Sequence, residues 1–464
     1  MYYVDKTASV AGLIRDMMHG HQLVTAPHGF GKSLMMSAVD AFLNIDYRGN
    51  IWFDRLDISE DHDLDIHRNA YPVVSMDLSR VDPEDIEGSM PILVSELFLE
   101  HGCVSGPEHT LIDLCRMKSE PDGSRVFVLI DNYDRPIVDA VDEETRKKNS
   151  VFINRFLHGI VGSDFPVSVL LSGIMRMDGD SLDVFDVQYL HEPLHSRNLG
   201  FTRGDITELL KEYLYPKGID DIFEWYGGYR CGDLELCNPS SVIQHVDSLF
   251  EIERYMPPDG KDRILHEYVI ERIGRTPYRL GSDLESLMSR GWIDTCTDLG
   301  SAYPVPGVQR DTVSAMILNG YLSAVRIGSA HPGEYRVRIP NVEVYTLFSE
   351  AIEEVLDDPE CCIPTIKDLA NGILEERMDD DPLSMVPVIT RLMNSHIFED
   401  EETVHIFILY MNSLLKGGFI ATTERLNGGE RMDVVVKATV DGREVLRLAM
   451  MGGDVRPEDI WDTM

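Results

Sequence analysis

Residues 1–200 alternate short, nearly all-apolar runs with longer amphipathic stretches. "HQLVTA", "YPVVSMDLS", "RVFVLID" and "FPVSVLLSG" are short and rich in β-branched residues. Strands buried on both faces of a parallel sheet have this pattern. Helical periodicity fills the intervals: "KSLMMSAVDAFL" after the first run, "IEGSMPILVSELFLEHG" after the second, "KKNSVFINRFLHGIVG" after the third. Strand, helix, strand in this order predicts right-handed βαβ units and a three-layer α/β sandwich.

The pattern changes near Phe201. "TRGDITELLKEYL" reads as a helix with a Thr cap, and Asn238-Pro239-Ser240 reads as a turn and cap before another helix. Residues 201–356 are expected to form a mostly helical intermediate or lid region. "VLDDPECCIPTIKDLA" mixes acids with proline and marks a boundary. Residues 357–464 then predict a long helix, "EDEETVHIFILYMNSLLKGG", and three strands, "FIATTERL", "RMDVVVKATV" and "REVLRLAMM". A helix followed by antiparallel strands is a separate small α/β unit.

At 464 residues the chain exceeds what one core supports. Hydrophobic residues make up 43% and charged residues 26%, an ordinary globular balance that argues against dominant disorder. The formal net charge is -38, from 80 acidic and 42 basic side chains. This excess disfavours nucleic acid and anionic membrane as partners, since affinity for phosphate backbones rests on Lys and Arg. Seven scattered cysteines lack framework or zinc-site spacing. No basic n-region precedes an apolar core at the start, and no apolar run reaches the roughly 20 residues that span a bilayer. The expectation is a cytoplasmic protein without a membrane partner.

Candidate chemistry begins in "LVTAPHGFGKSL". Gly31-Lys32-Ser33 closes a loop between a strand and a helix, as in the phosphate-binding pattern G-x-x-x-x-G-K-[ST]. There backbone N–H groups cradle phosphates, Lys reaches the β- and γ-phosphates, and the hydroxyl holds Mg²⁺. Ala26 stands where the pattern has its first glycine, which removes a flexible point but no liganding group. "VFVLIDNYDRP" supplies the apolar strand ending in Asp131 that such a site uses for Mg²⁺. Asn132 follows where a water-activating Glu is common. Asn can hold a water but cannot take its proton, and Asp134 is the alternative carboxylate. "VSVLLSGIMRM" places Ser172 where a γ-phosphate sensor is expected, with Arg176 next to meet triphosphate charge. Singly, Lys32 and Ser33 fit an ordinary helix start, Asp131 a turn cap and Arg176 a surface position. Their joint occurrence in this order favours a P-loop fold.

Several stretches together resemble the AAA-ATPase-like proteins of bacteria and archaea that carry a C-terminal PD-(D/E)XK nuclease-like domain. "YYVDKT", "PHGFGKSL", "VLIDNYDRPI", "LLSGIMRM", "LGFT", "WYGGYRCG" with "NPSSV", "NGYLSAV" and "IPNVEV" follow in that family's order. The resemblance implies ATP and Mg²⁺ as ligands. Pro27, Gly29, Phe30, Gly31, Lys32, Ser33, Leu34 and Ser172 would lie around the nucleotide, with Mg²⁺ between Ser33 and Asp131. Asp131, Asn132 and Arg176 would be the candidate catalytic positions. Asp5, Lys6 and Thr7 either approach the nucleotide or fix the first segment. Trp225, Tyr226 and Tyr229 either stack on a base or pack a tight turn.

This chain departs from the family at Ala26, His28 and Gly29, where the family loop carries positive charge, and at Asn132. In the nuclease-like region, Glu424 and Asp433 match the family spacing. Arg447 and Ala449 replace the Glu and Lys of the next strand, removing a metal ligand and the catalytic cation. The resulting expectation is an ATP-binding protein with weak or absent hydrolysis and an inactive nuclease-like domain that contacts a protein partner. The alternatives are a nucleotide-free scaffold and an active Mg²⁺-dependent nuclease.

Overall fold

The computed structural model describes residues 3–104, 106, 109–119, 124–191, 199–215, 218–256, 265, 269, 280–300, 312–327, 333–357, 408, 412, 419–426, 431–438 and 444–451. The chain forms two compact units: Met1–Met256 with Cys296–Gly333, and Pro257–Thr295 with Glu334–Met464.

The first unit is built on five parallel strands: β1 (His21–Thr25), β2 (Val73–Asp77), β3 (Val126–Asp131), β4 (Val167–Gly173) and β5 (Phe185–Tyr189). Their order is β2-β3-β4-β1-β5. The expected four strands are present. β3 and β4 are buried almost without a break, because helices cover both faces of a parallel sheet. The edge strand β5 lacked an apolar run, since Asp186 and Gln188 interrupt it. Gln188 instead bonds to Gln22 and Asp16, a polar seam that replaces apolar packing beside β1.

Helices α1 (Thr7–His19), α2 (Lys32–Leu43), α3 (Ile86–Glu100), α4 (Leu111–Ser119), the single turn α5 (Arg135–Val138) and α6 (Glu143–Val161) accompany the sheet. α2 buries Met35, Met36, Val39, Phe42 and Leu43 in one core cluster with Phe30 and Val24. At the start of α1, Thr7 Oγ donates to Asp5 and accepts from the N–H of Ile58, and Lys6 reaches Asp205 at 2.5 Å. Asp5, Lys6 and Thr7 therefore fix the first segment.

Among the described residues, α7 (Arg203–Glu212), α8 (Asp220–Tyr226), α9 (Pro239–Asp247) and α10 (Thr312–Leu318) also belong to this unit. Thr202 and Asp205 form a reciprocal capping box on α7. Tyr226 is fully buried and Trp225 packs against the same cluster, so these rings form core.

In the second unit, strands Phe419–Leu426, Arg431–Ala438 and Glu444–Met451 pair antiparallel in that order. Asn412 brackets the first of them, exchanging two bonds with the backbone of Ala421 at 2.8 and 3.0 Å. The expected boundary segment and most of the long C-terminal helix lie outside the described residues. Among the described residues no helix is long and apolar enough to cross a membrane.

The exits of β3 and β4 are locked together. Tyr133 Oη donates to the carbonyl of Met175 at 2.7 Å and accepts from the N–H of Met177 at 2.9 Å. Asp134 accepts from the N–H groups of Ile174 and Met175. Gly173 permits this approach: a Cβ there would sit 2.6 Å from Tyr133 and 2.9 Å from Asp134. Gly173→Ala is expected to cost about 1–3 kcal/mol of stability, read as a lower denaturant midpoint.

Candidate functional site

The C-terminal ends of four neighbouring strands converge. Register sets Thr25 beside Gly173, Val24 beside Ser172, and Asp77 beside Asp131. Ligands of open parallel sheets bind at this edge.

From β1 the chain enters the loop 26–31. Ala26 still pairs like a strand residue, its N–H donating to the carbonyl of Gly173 at 3.2 Å. It is buried and has no positive φ, so this position needs no glycine. Gly29 does. Its φ is +80, and a Cβ would lie 2.5 Å from Asn238 Oδ1.

The loop sorts its polar groups by side. Lys32 Nζ donates to the carbonyls of Ala26 and Pro27 at 2.7 and 2.9 Å. The next three carbonyls accept bonds from distant segments: His28 from Asn238 Nδ2 at 3.2 Å, Gly29 from the N–H of Ser240 at 3.1 Å, and Phe30 from the N–H of Gly200 at 3.4 Å. By contrast, among the described residues the N–H groups of Gly29, Phe30, Gly31, Lys32 and Ser33 have no partner. Five consecutive N–H groups without a partner among the described residues, at the positive end of the α2 dipole, are a geometry suited to an anion. Beside the loop lies a cavity of about 40 Å³, lined by Thr25, Ala26, Pro27, Ile174 and His191 among others.

Lys32 is buried, and burial pulls its pKa down to about 8 against the attraction of Asp134 and Asp131. Ser33 is exposed, and its hydroxyl has no partner among the described residues. Leu34 is 58% exposed in the first helical turn.

Asp131 accepts from Ser172 Oγ in a short bond and from the N–H of Asn132 at 3.0 Å, both at Oδ1. Its Oδ2 is unpartnered among the described residues. The structure thus brings Ser172 and Asp131 together, with Ser172 fully buried and turned to the carboxylate.

The remaining sequence-derived candidates are engaged elsewhere. Asn132 has φ +54, which Asn tolerates better than most residues. Its amide donates to Asp77 Oδ1 at 2.9 Å. Asp134 is fully buried against backbone, and burial raises its pKa. Arg176 pairs with Asp183 at 2.6 Å.

Sequence reasoning missed Asp77, Gly200 and the loop contacts of Asn238 and Ser240. The one signal for Asp77 was "VVSMD", a strand that ends in Asp as β3 does. In the second unit, register sets Glu424 opposite Asp433, Asp433 opposite Ala449, and Arg447 opposite Val435.

A family model described as "Predicted AAA-ATPase" matches residues 1–183. An Azotobacter chroococcum mcd 1 protein, described as an uncharacterized protein in the vnfD 5′ region, is 29% identical over 374 residues. The match covers 76% of this chain and 66% of that protein, just under two thirds of its length. A solved structure of the Aeropyrum pernix ORC1 protein in complex with DNA is similar over 74% of this chain and 92% of that one, at 11% identity and a TM-score of 0.26.

The buried lysine carries a pH signature. Its folded pKa lies below the unfolded value, so between about pH 8 and 10.5 the unfolded chain binds more protons and stability rises with pH. Denaturant titrations are expected to show a rise of the order of 2–3 kcal/mol in this window relative to Lys32→Met.

Proposed function

We propose that this chain binds Mg-ATP at the 29–33 loop and turns it over slowly or not at all. The observation that carries this reading is the run of five N–H groups beside Lys32 that have no partner among the described residues. The match of residues 1–183 to the predicted AAA-ATPase model supports it.

This nest of N–H groups would bind the phosphate oxygens, and Lys32 would supply a cation at the same place. Ser33 Oγ and Asp131 Oδ2 fit Mg²⁺: both are oxygen donors without a protein partner among the described residues. Bound there, Mg²⁺ would offset phosphate charge. Ser172 would hold the Asp131 carboxylate in one orientation.

Turnover needs a group that takes a proton from the attacking water. Asn132 has no basic oxygen of the required strength, and its amide is tied to Asp77. Asp134 accepts two backbone N–H groups from the turn after β4. Both features support binding without rapid hydrolysis.

We read the C-terminal strands as an inactive nuclease-like module that docks a protein partner. Arg447 and Ala449 support this, since neither can be a carboxylate ligand. The net charge of -38 also opposes nucleic acid as a partner.

Calorimetry with Mg-ATP, followed by phosphate release on the same sample, tests the reading. Binding with little release is expected, and Lys32→Ala should abolish binding. No binding by the wild type at millimolar Mg-ATP would favour the nucleotide-free scaffold instead. Incubation of plasmid DNA with Mg²⁺ should give no cleavage; cleavage lost in Asp433→Ala would overturn the inactive-module reading.

A further inference from the structure

Asn238 lies far from the loop in sequence yet meets it directly. It is 2% exposed, and each of its polar groups is engaged. Its N–H donates to the carbonyl of Tyr226 at the end of α8, at 2.9 Å. Its own carbonyl accepts from Val242 inside α9. Oδ1 caps α9 by accepting from the N–H of Ser240 at 3.0 Å, and Nδ2 donates to the carbonyl of His28. The capped N–H group of Ser240 also donates to the carbonyl of Gly29. One residue and its helix start thus hold two successive loop carbonyls.

A bridge between Phe201 and Cys237 supports this arrangement, exchanging two backbone bonds at 2.8 and 3.1 Å. It fixes Gly200 and Asn238 next to each other, and Gly200 takes the third loop carbonyl, that of Phe30. A peptide plane directs its C=O and N–H to opposite sides. Holding carbonyls 28–30 on the outer side therefore turns the N–H groups of the following residues, Gly29 to Gly31, to the inner one.

We propose that Asn238 is a positioning residue for nucleotide binding, and that its contact with His28 couples loop occupancy to helix α9. The proposal rests on the phosphate-binding reading of the loop. An anion in the nest tightens the same peptide planes whose carbonyls Asn238 and Ser240 hold, so occupancy stabilises the start of α9. Conversely, loss of the Nδ2 donor frees the His28–Gly29 peptide to rotate and disorganises the nest without touching its N–H groups.

Asn238→Asp separates the two roles of the side chain. Asp keeps the acceptor that caps α9 and loses the donor to His28. Asn238→Ser also keeps a cap acceptor and adds no charge, which isolates the donor from electrostatic repulsion. Both variants are expected to unfold within a few degrees of the wild type without nucleotide, yet to bind Mg-ATP at least about tenfold more weakly. A purely structural residue would lower the melting temperature and leave the affinity unchanged. In the wild type, hydrogen exchange at amides 242–247 should slow when Mg-ATP is added, and this slowing should be lost in Asn238→Asp.

Wild-type binding together with unchanged affinity in both variants would overturn the role of Asn238. Unchanged exchange in α9 on wild-type binding would overturn the coupling, whatever the variants do. No binding by the wild type would instead remove the phosphate-binding reading, and this inference with it.

Discussion

The structure of the site depends on where the carbonyls of one six-residue loop are sent. A peptide group is obligatorily bipolar, and burying either end without a partner costs free energy. Here the carbonyls of residues 26–30 are all satisfied: two by the buried Lys32 and three by segments from the helical part of the same unit. Among the described residues the N–H groups of Gly29 to Ser33 have no such partner. A loop whose carbonyls were free would relax toward any conformation that solvated both ends, and its binding geometry would disperse.

Lys32 contributes to this order in two ways. As a donor it completes the inner pair of carbonyls. As a buried cation it sets a positive potential in a protein of strong negative charge, near Asp131 and Asp134. On the proposed reading, the chain's overall field would repel a polyanionic ligand at long range, while the loop would attract it at contact distance. Screening by salt weakens the first effect more than the second, because the buried charge is poorly screened.

The sheet was legible because parallel strands covered on both faces are continuous apolar runs. "RVFVLID" and "FPVSVLLSG" carry no other plausible pattern. β5 was not, because "FDVQY" reaches the core through Gln188 and an amide seam rather than apolar burial. Within the site, Lys32, Ser33 and Asp131 were readable from local spacing. The use of Asn132 was not, because its partner Asp77 comes from a neighbouring strand. The same holds for Asn238: its capping role is local and was legible, whereas its second bond crosses 210 positions. Local motifs record which side chains act, and the long-range contacts that aim them leave no periodic trace.

That separation bears on modularity. The part of the chain matched by the family model ends at residue 183. Gly200, Asn238 and Ser240, which hold three loop carbonyls, all lie beyond it. Residues 1–183 alone would keep Lys32, Ser33, Asp131 and Ser172 yet lack the three donors that hold the loop carbonyls. Position 29 is also constrained by position 238, because the Asn238 side chain occupies the space that a Cβ at Gly29 would need. A side chain at position 29 would have to displace Asn238 and Ser240 and also accept a positive φ.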